Sequence, residues 1–212
     1  MTAETNPDPA TQTPIRLGRE SLNLPNLVTV SRLGLAVILF ALIDSGRWWL
    51  TSSILFVVAA STDALDGWLA RKYGQVTTLG RILDPFVDKI IVGGAFLFLL
   101  TPGSDRSSGV TAWMVIIVIG REMFVSRLRG FLEQAGHDFS ASFTGKFKMV
   151  LQCVAVTAAL LSMVPQFDRP WLISTRDALL WLAVGVTIWS GLIYIIRGIR
   201  LLNQDDPGEP AG

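Results

Sequence analysis

Six apolar stretches recur along this chain of 212 residues, at about 27–43, 49–70, 84–101, 112–130, 147–164 and 178–197. Each is near the roughly 20 residues that a helix needs to cross a bilayer. Lipid offers the backbone no hydrogen-bond partner, so a segment inside it must satisfy its own N–H and C=O groups, as a helix does. No period-two alternation runs long enough for the strands of a membrane barrel. The sequence therefore predicts an all-α, polytopic membrane protein with six transmembrane helices. Its 17% of charged residues and mean hydropathy of +0.48 agree, since an average soluble domain carries about a quarter charged residues.

Charge orients the bundle. Six spans leave three connections on one side, 44–48, 102–111 and 165–177, and these hold Arg47, Arg106, Arg169 and Arg176, four of the 18 lysines and arginines. The other 14 lie on the opposite side or within spans, so the positive-inside rule places both termini in the cytoplasm. Residues 1–14 are rich in Pro and Thr and read as a disordered tail without the basic start and apolar core of a signal peptide. Residues 203–212 read as a second tail, and 15–202 as one membrane domain without internal repeats.

Composition also removes several chemistries. Cys153 is the single cysteine and His137 the single histidine. An intrachain disulfide, a thiolate zinc site and Ser–His–Asp catalysis are therefore excluded or poorly served. A net charge of +1 gives no electrostatic footprint for nucleic acid. Any metal must be held by oxygen.

Oxygen ligands are concentrated in one place. The stretch STDALDGWLARKYGQVTTLGRILDPFVDK, residues 61–89, contains Asp63, Asp66, Asp84 and Asp88 in otherwise apolar surroundings. Asp63, Asp66, Gly67 and Ala70 follow i, i+3, i+4, i+7 spacing and share one helix face; Asp84 and Asp88 are i, i+4. Gly74 marks a helix stop, and Pro85 is expected in the first turn of the next helix, which would begin near Asp84. Antiparallel neighbours would then bring four carboxylates together. Such a cluster repels itself unless cations or protons intervene, and hard divalent ions such as Mg²⁺ or Mn²⁺ take oxygen ligands. Two of them can clamp a phosphoryl group. Gly67, Ala70 and Gly80 leave room for a ligand, and Arg71 and Arg81 can offset phosphate charge. A single aspartate of this kind would be read as a helix cap, but paired intramembrane carboxylates point to function. Transporters also carry such residues, although they commonly show internal repeats and broken helices near the midplane. Membrane prenyltransferases use two Asp-rich motifs as well, on well-separated helices, whereas these four aspartates fall between residues 63 and 88.

The spacing Asp63-x₂-Asp66-Gly67-x₂-Ala70-Arg71-x₈-Gly80-x₃-Asp84-x₃-Asp88 resembles, without gap or substitution, the signature of the CDP-alcohol phosphotransferase family. The resemblance implies a six-helix membrane fold, usually a homodimer, with a cytoplasm-facing site of the bacterial inner-membrane type. It implies two divalent ions held by Asp63, Asp66, Asp84 and Asp88, with Asp88 also the general base for an acceptor hydroxyl. Asp66, Gly67, Ala70, Arg71 and Gly80 would line the CDP site.

Three further segments resemble the phosphatidylglycerophosphate synthase branch of that family. They are NLPNLVTVSR (23–32), GREMFVSRLRG (120–130) and GKFKMVLQ (145–152), the last with Met149 where that branch has Thr. Arg121 and Arg129 are eight residues apart, about two turns along one helix face. With Arg32 and Lys146 they would form a cationic pocket for an acceptor bearing its own phosphate. Lys148 suits either that pocket or ordinary membrane anchoring. CDP-diacylglycerol is then the expected donor and glycerol 3-phosphate the expected acceptor; inositol phosphate and phosphatidylglycerol are the alternatives.

Overall fold

Every element of the described chain is helical. In a computed structural model, six α-helices run in order: α1 Leu24–Asp44, α2 Trp49–Tyr73, α3 Thr78–Leu100, α4 Ala112–Gln134, α5 Phe143–Ser162 and α6 Pro170–Leu202. The structure describes residues 24–73, 78–134, 143–167 and 169–202, with side chains for 30–62, 86–134, 145, 147–167 and 169–201.

Helix ends follow local chemistry. Gly46 terminates α1 with a positive φ of 65°, the left-handed conformation that L residues avoid. The carbonyl of Thr111 accepts from the Val115 amide at the start of α4, and that of Arg169 from Leu172 and Ile173 at the start of α6. Pro170 fits the first position of α6, where its missing N–H costs nothing. The helix therefore begins eight residues before the apolar segment at 178, and Arg176 becomes a helix residue rather than a loop residue. A second departure lies in α3. It starts at Thr78 rather than near Asp84, so Pro85 sits within the helix and the carbonyl four residues earlier loses its usual partner.

Three connections meet at one end of the bundle. The turn after α1 touches the α3–α4 connection so closely that a Cβ on Gly46 would lie 1.7 Å from the Gly103 carbonyl oxygen. Arg176, buried in the first third of α6, donates to the Ser107 carbonyl and to Ser162 Oγ at the end of α5. The N-terminus of α1, the C-terminus of α2, the N-terminus of α3 and the C-terminus of α6 consequently lie at the other end. Gly46→Ala should cost about 2–3 kcal/mol, from left-handed strain and displaced backbone. Gly185→Ala, whose added Cβ meets nothing within 4 Å, should leave thermal unfolding in detergent nearly unchanged.

The core is apolar and continuous across the bundle, with Phe56, Phe96, Leu99, Met114, Leu160 and Leu180 fully buried. α5 packs on α2, α3 and α6, while α1 packs on α2 and α3 and α4 on α3 and α6. The outside is apolar too: Ile54, Leu97, Ile116, Phe131, Val150 and Leu192, from five helices, are all exposed. Among the described helices, Pro170–Leu201 is long and apolar enough to cross a membrane, and Trp49–Thr62 and Phe147–Ser162 are shorter apolar runs. The end carrying the connection between α2 and α3 holds the candidate site.

Candidate active site

Two helices carry the aspartates at two matched depths. Asp63 and Asp88 each lie ten residues from the facing helix ends, Tyr73 of α2 and Thr78 of α3. Asp66 and Asp84 lie seven and six residues from them. At 1.5 Å per residue the first pair is about 15 Å up its helices and the second about 10 Å. The antiparallel α2 and α3 are in contact, so the backbone positions of the two pairs match in register. The side chains of Asp63, Asp66, Gly67, Ala70, Arg71, Gly80, Arg81 and Asp84 lie outside the described residues. Among the described ones, no three carboxylate, imidazole or thiolate groups form a metal cluster.

Asp88 is described, and it is paired. Arg32 on α1 donates from Nη2 to Asp88 Oδ1 at 2.5 Å, with the arginine side chain only 3% exposed. The sequence reading puts Arg32 among the cations of an acceptor pocket; in the fold it pairs with Asp88, which lines a cavity. Arg32 reaches so deep because α1 packs directly on α3.

Asp88 opens onto a cavity of about 530 Å³ between α3, α4, α5 and α6. Four cations line it: Lys89, Arg121, Arg129 and Lys148. The i, i+8 spacing of Arg121 and Arg129 thus puts both on one wall. Arg121 is held on three sides. Its Nη1 donates to Glu122 Oε1 at 3.1 Å, its Nη2 to Ser190 Oγ at 2.6 Å, and its guanidinium lies 5.4 Å from the Tyr194 ring centroid. Lys148, almost fully buried, donates to the same Glu122 oxygen. Arg129 has its Nε buried without a hydrogen-bond partner among the described residues. Lys146 lies in the first turn of α5, with its side chain outside the described residues.

Several lining residues carry no mark in the sequence motifs. Lys89 donates to Ser126 Oγ at 2.5 Å, and Ser126 donates in turn to the Glu122 carbonyl. Gln152 donates to Thr187 Oγ1 at 2.9 Å. Thr187, Ser190 and Tyr194 are all buried and form an i, i+3, i+7 polar stripe on α6, in which Tyr194 lines the cavity and Thr187 and Ser190 accept from its lining residues Gln152 and Arg121. That spacing in an apolar helix was the available signal. Met149 also lines the cavity, so the position at which this chain lacks a hydroxyl faces the ligand space.

A cavity with four cations beside a braced carboxylate can bind a phosphorylated alcohol and accept its proton. Comparison with known proteins points the same way. The CDP-alcohol phosphatidyltransferase family profile matches residues 22–189. The CDP-diacylglycerol–glycerol-3-phosphate 3-phosphatidyltransferase of Bacillus subtilis (strain 168) is 38% identical over 200 residues, covering 87% of this chain and 99% of its own. An Arabidopsis thaliana protein of that name, number 2, is 32% identical over 89% of this chain and 85% of its own. The Pseudomonas fluorescens protein is 34% identical, with coverage of 89% and 96%. On its matched length and on these identities, the chain belongs to the CDP-alcohol phosphatidyltransferase family.

Proposed function

We propose that this protein transfers the phosphatidyl group of CDP-diacylglycerol to glycerol 3-phosphate, forming phosphatidylglycerol phosphate and releasing CMP. The observation that carries this reading is the cavity beside Asp88 with four lining cations. A neutral alcohol would not require them; an acceptor that brings a phosphate dianion into a partly desolvated site does. The names of the relatives support the same donor and acceptor.

In this reading Asp63, Asp66, Asp84 and Asp88 would hold two Mg²⁺ or Mn²⁺ ions, which when bound neutralise the diphosphate and the charge of the departing CMP. Asp66, Gly67, Ala70, Arg71 and Gly80 form the CDP site. Arg121, Arg129 and Lys146 hold the acceptor phosphate, joined by Lys89 and Lys148 from the cavity wall, while Arg32 fixes Asp88. Asp88 takes the proton from the primary hydroxyl of glycerol 3-phosphate. The hydroxyl oxygen bonds to the phosphorus that bears diacylglycerol, and the bond from that phosphorus to the CMP oxygen breaks. Positioning and fixed charge supply the rate, with no covalent protein intermediate.

In this reading the protein is a six-span membrane enzyme, a homodimer with both termini and the site in the cytoplasm. The continuous exposed apolar surface supports immersion in lipid, since soluble monomers rarely expose apolar patches beyond a few hundred Å². Trp48, Trp113 and Trp171 are exposed where α2, α4 and α6 begin, at the end opposite the site, as interfacial tryptophans would be. The test is CMP release by the purified protein in detergent with CDP-diacylglycerol, Mg²⁺ or Mn²⁺, and a panel of alcohols. Glycerol 3-phosphate should support turnover. Release with inositol phosphate alone would overturn the acceptor, and no CMP release with any alcohol would overturn the reaction.

A further inference from the structure

Glu122 is an anion already in the place where an anionic substrate is expected. One of its oxygens accepts from Arg121 and from Lys148, two of the four cavity cations. Arg121 has further partners, and Lys148 is buried. Arg121 is tied to Ser190 and lies on the Tyr194 ring, and the Lys148 side chain is 5% exposed. Glu122 itself lines the cavity and keeps 22% of its side chain accessible. A carboxylate serving only to neutralise two buried cations has no need to face the ligand space.

We propose that Glu122 is the resident anion of the acceptor pocket, which an incoming phosphate monoester must displace from Arg121 and Lys148, so that Glu122 sets which anions enter. This rests on the reading of the cavity as the acceptor site. An attached carboxylate competes without loss of translational freedom, so a monoanion gains little by replacing it. A phosphate monoester brings up to two charges and three acceptor oxygens, and it can also reach Arg129, whose Nε is buried and unpartnered among the described residues. Ser190 and Tyr194 keep Arg121 in place while its counter-ion changes. The pocket then favours a phosphorylated acceptor over chloride, carboxylates and neutral alcohols.

The experiment is binding of inorganic phosphate to the full-length protein in detergent, by calorimetry and by the shift in thermal unfolding, at constant ionic strength set with chloride. Glu122→Gln keeps the shape and removes the competing charge. Its phosphate affinity should exceed the wild-type value by at least about tenfold, the scale of one unit charge a few ångströms away in a protein interior. Its unfolding temperature should fall without phosphate and recover with it. Adding Lys148→Met to Glu122→Gln restores the original cavity charge, and phosphate affinity should return to within about threefold of wild type in that double-mutant cycle. Equal or weaker phosphate binding by Glu122→Gln overturns the proposal. If that variant does not fold, Lys148→Met alone should weaken phosphate binding by about tenfold, and unchanged binding overturns it equally. These measurements need no turnover. A wild-type protein that binds phosphate in this way but does not use glycerol 3-phosphate would overturn that acceptor and leave the role of Glu122 standing.

Discussion

Asp88→Asn should abolish CMP release, lowering kcat by about three orders of magnitude, the range lost when a positioned general base is removed. Asparagine keeps the size of the side chain and can still meet Arg32, but it cannot take a proton from the acceptor hydroxyl. The surroundings of Asp88 suit this role. Asp88 lies beside the cationic cavity and is fixed by an arginine that is itself buried. A carboxylate held in this way spends little reorganisation at the moment of proton transfer. Loss of the ion pair also leaves a nearly buried guanidinium without its anion, which costs roughly 3–5 kcal/mol when one partner of a buried pair is removed. Thermal unfolding should therefore be measured beside activity. CDP-diacylglycerol binding should survive in the folded variant, because three of the four aspartates remain. Residual turnover within tenfold of wild type would reject the base role, and a loss that merely tracks unfolding would assign Asp88 to stability instead.

The difference between what was legible in the sequence and what needed the fold follows the physics of each residue. Helix number and order were legible because period and length are local properties: each of the six apolar segments overlaps one helix. The start of α6 was missed because Pro170 to Asp177 mixes polar and apolar residues, and Arg176 looked like a loop charge. It is buried by partners about 70 residues away on the α3–α4 connection, which no local pattern encodes. Pro85 was expected in a first turn, yet a helix inside a bundle can carry a proline when tertiary packing holds it. In the site, the aspartate spacing was legible because all four residues sit on two consecutive helices. Arg121 and Arg129 were legible as a pair because they share one helix. Glu122 with Lys148, Lys89 with Ser126, and Arg121 with Ser190 join different helices at separations of 26, 37 and 69 residues. Those pairings depend on how α3, α4, α5 and α6 pack, so their chemistry could be named from the sequence but not their partners.

Arg121→Ala should raise the KM for glycerol 3-phosphate by about a hundredfold while changing that for CDP-diacylglycerol by less than about threefold, since a charge-assisted contact to phosphate contributes about 1.5–3 kcal/mol. The asymmetry follows from position. Arg121 lies on the α4 wall, bound to Ser190 and stacked near Tyr194 on α6, whereas the expected CDP residues lie on α2 and at the start of α3. Truncation also removes one of two cations from Glu122, leaving it with Lys148. The carboxylate then competes for fewer cations, and the net cavity charge falls by one, so the acceptor loses both a donor pair and long-range attraction. Arg121→Lys separates these two contributions. It restores the charge but not the planar fork that reaches Glu122 and Ser190 together, so it should recover only part of the acceptor affinity, about tenfold of the hundredfold lost. Equal effects of Arg121→Ala on both substrates would place the residue in a structural role shared by the whole site. An effect confined to CDP-diacylglycerol would move the acceptor phosphate out of this cavity and leave Arg32 and Lys146, on α1 and α5, as the cations to test for it.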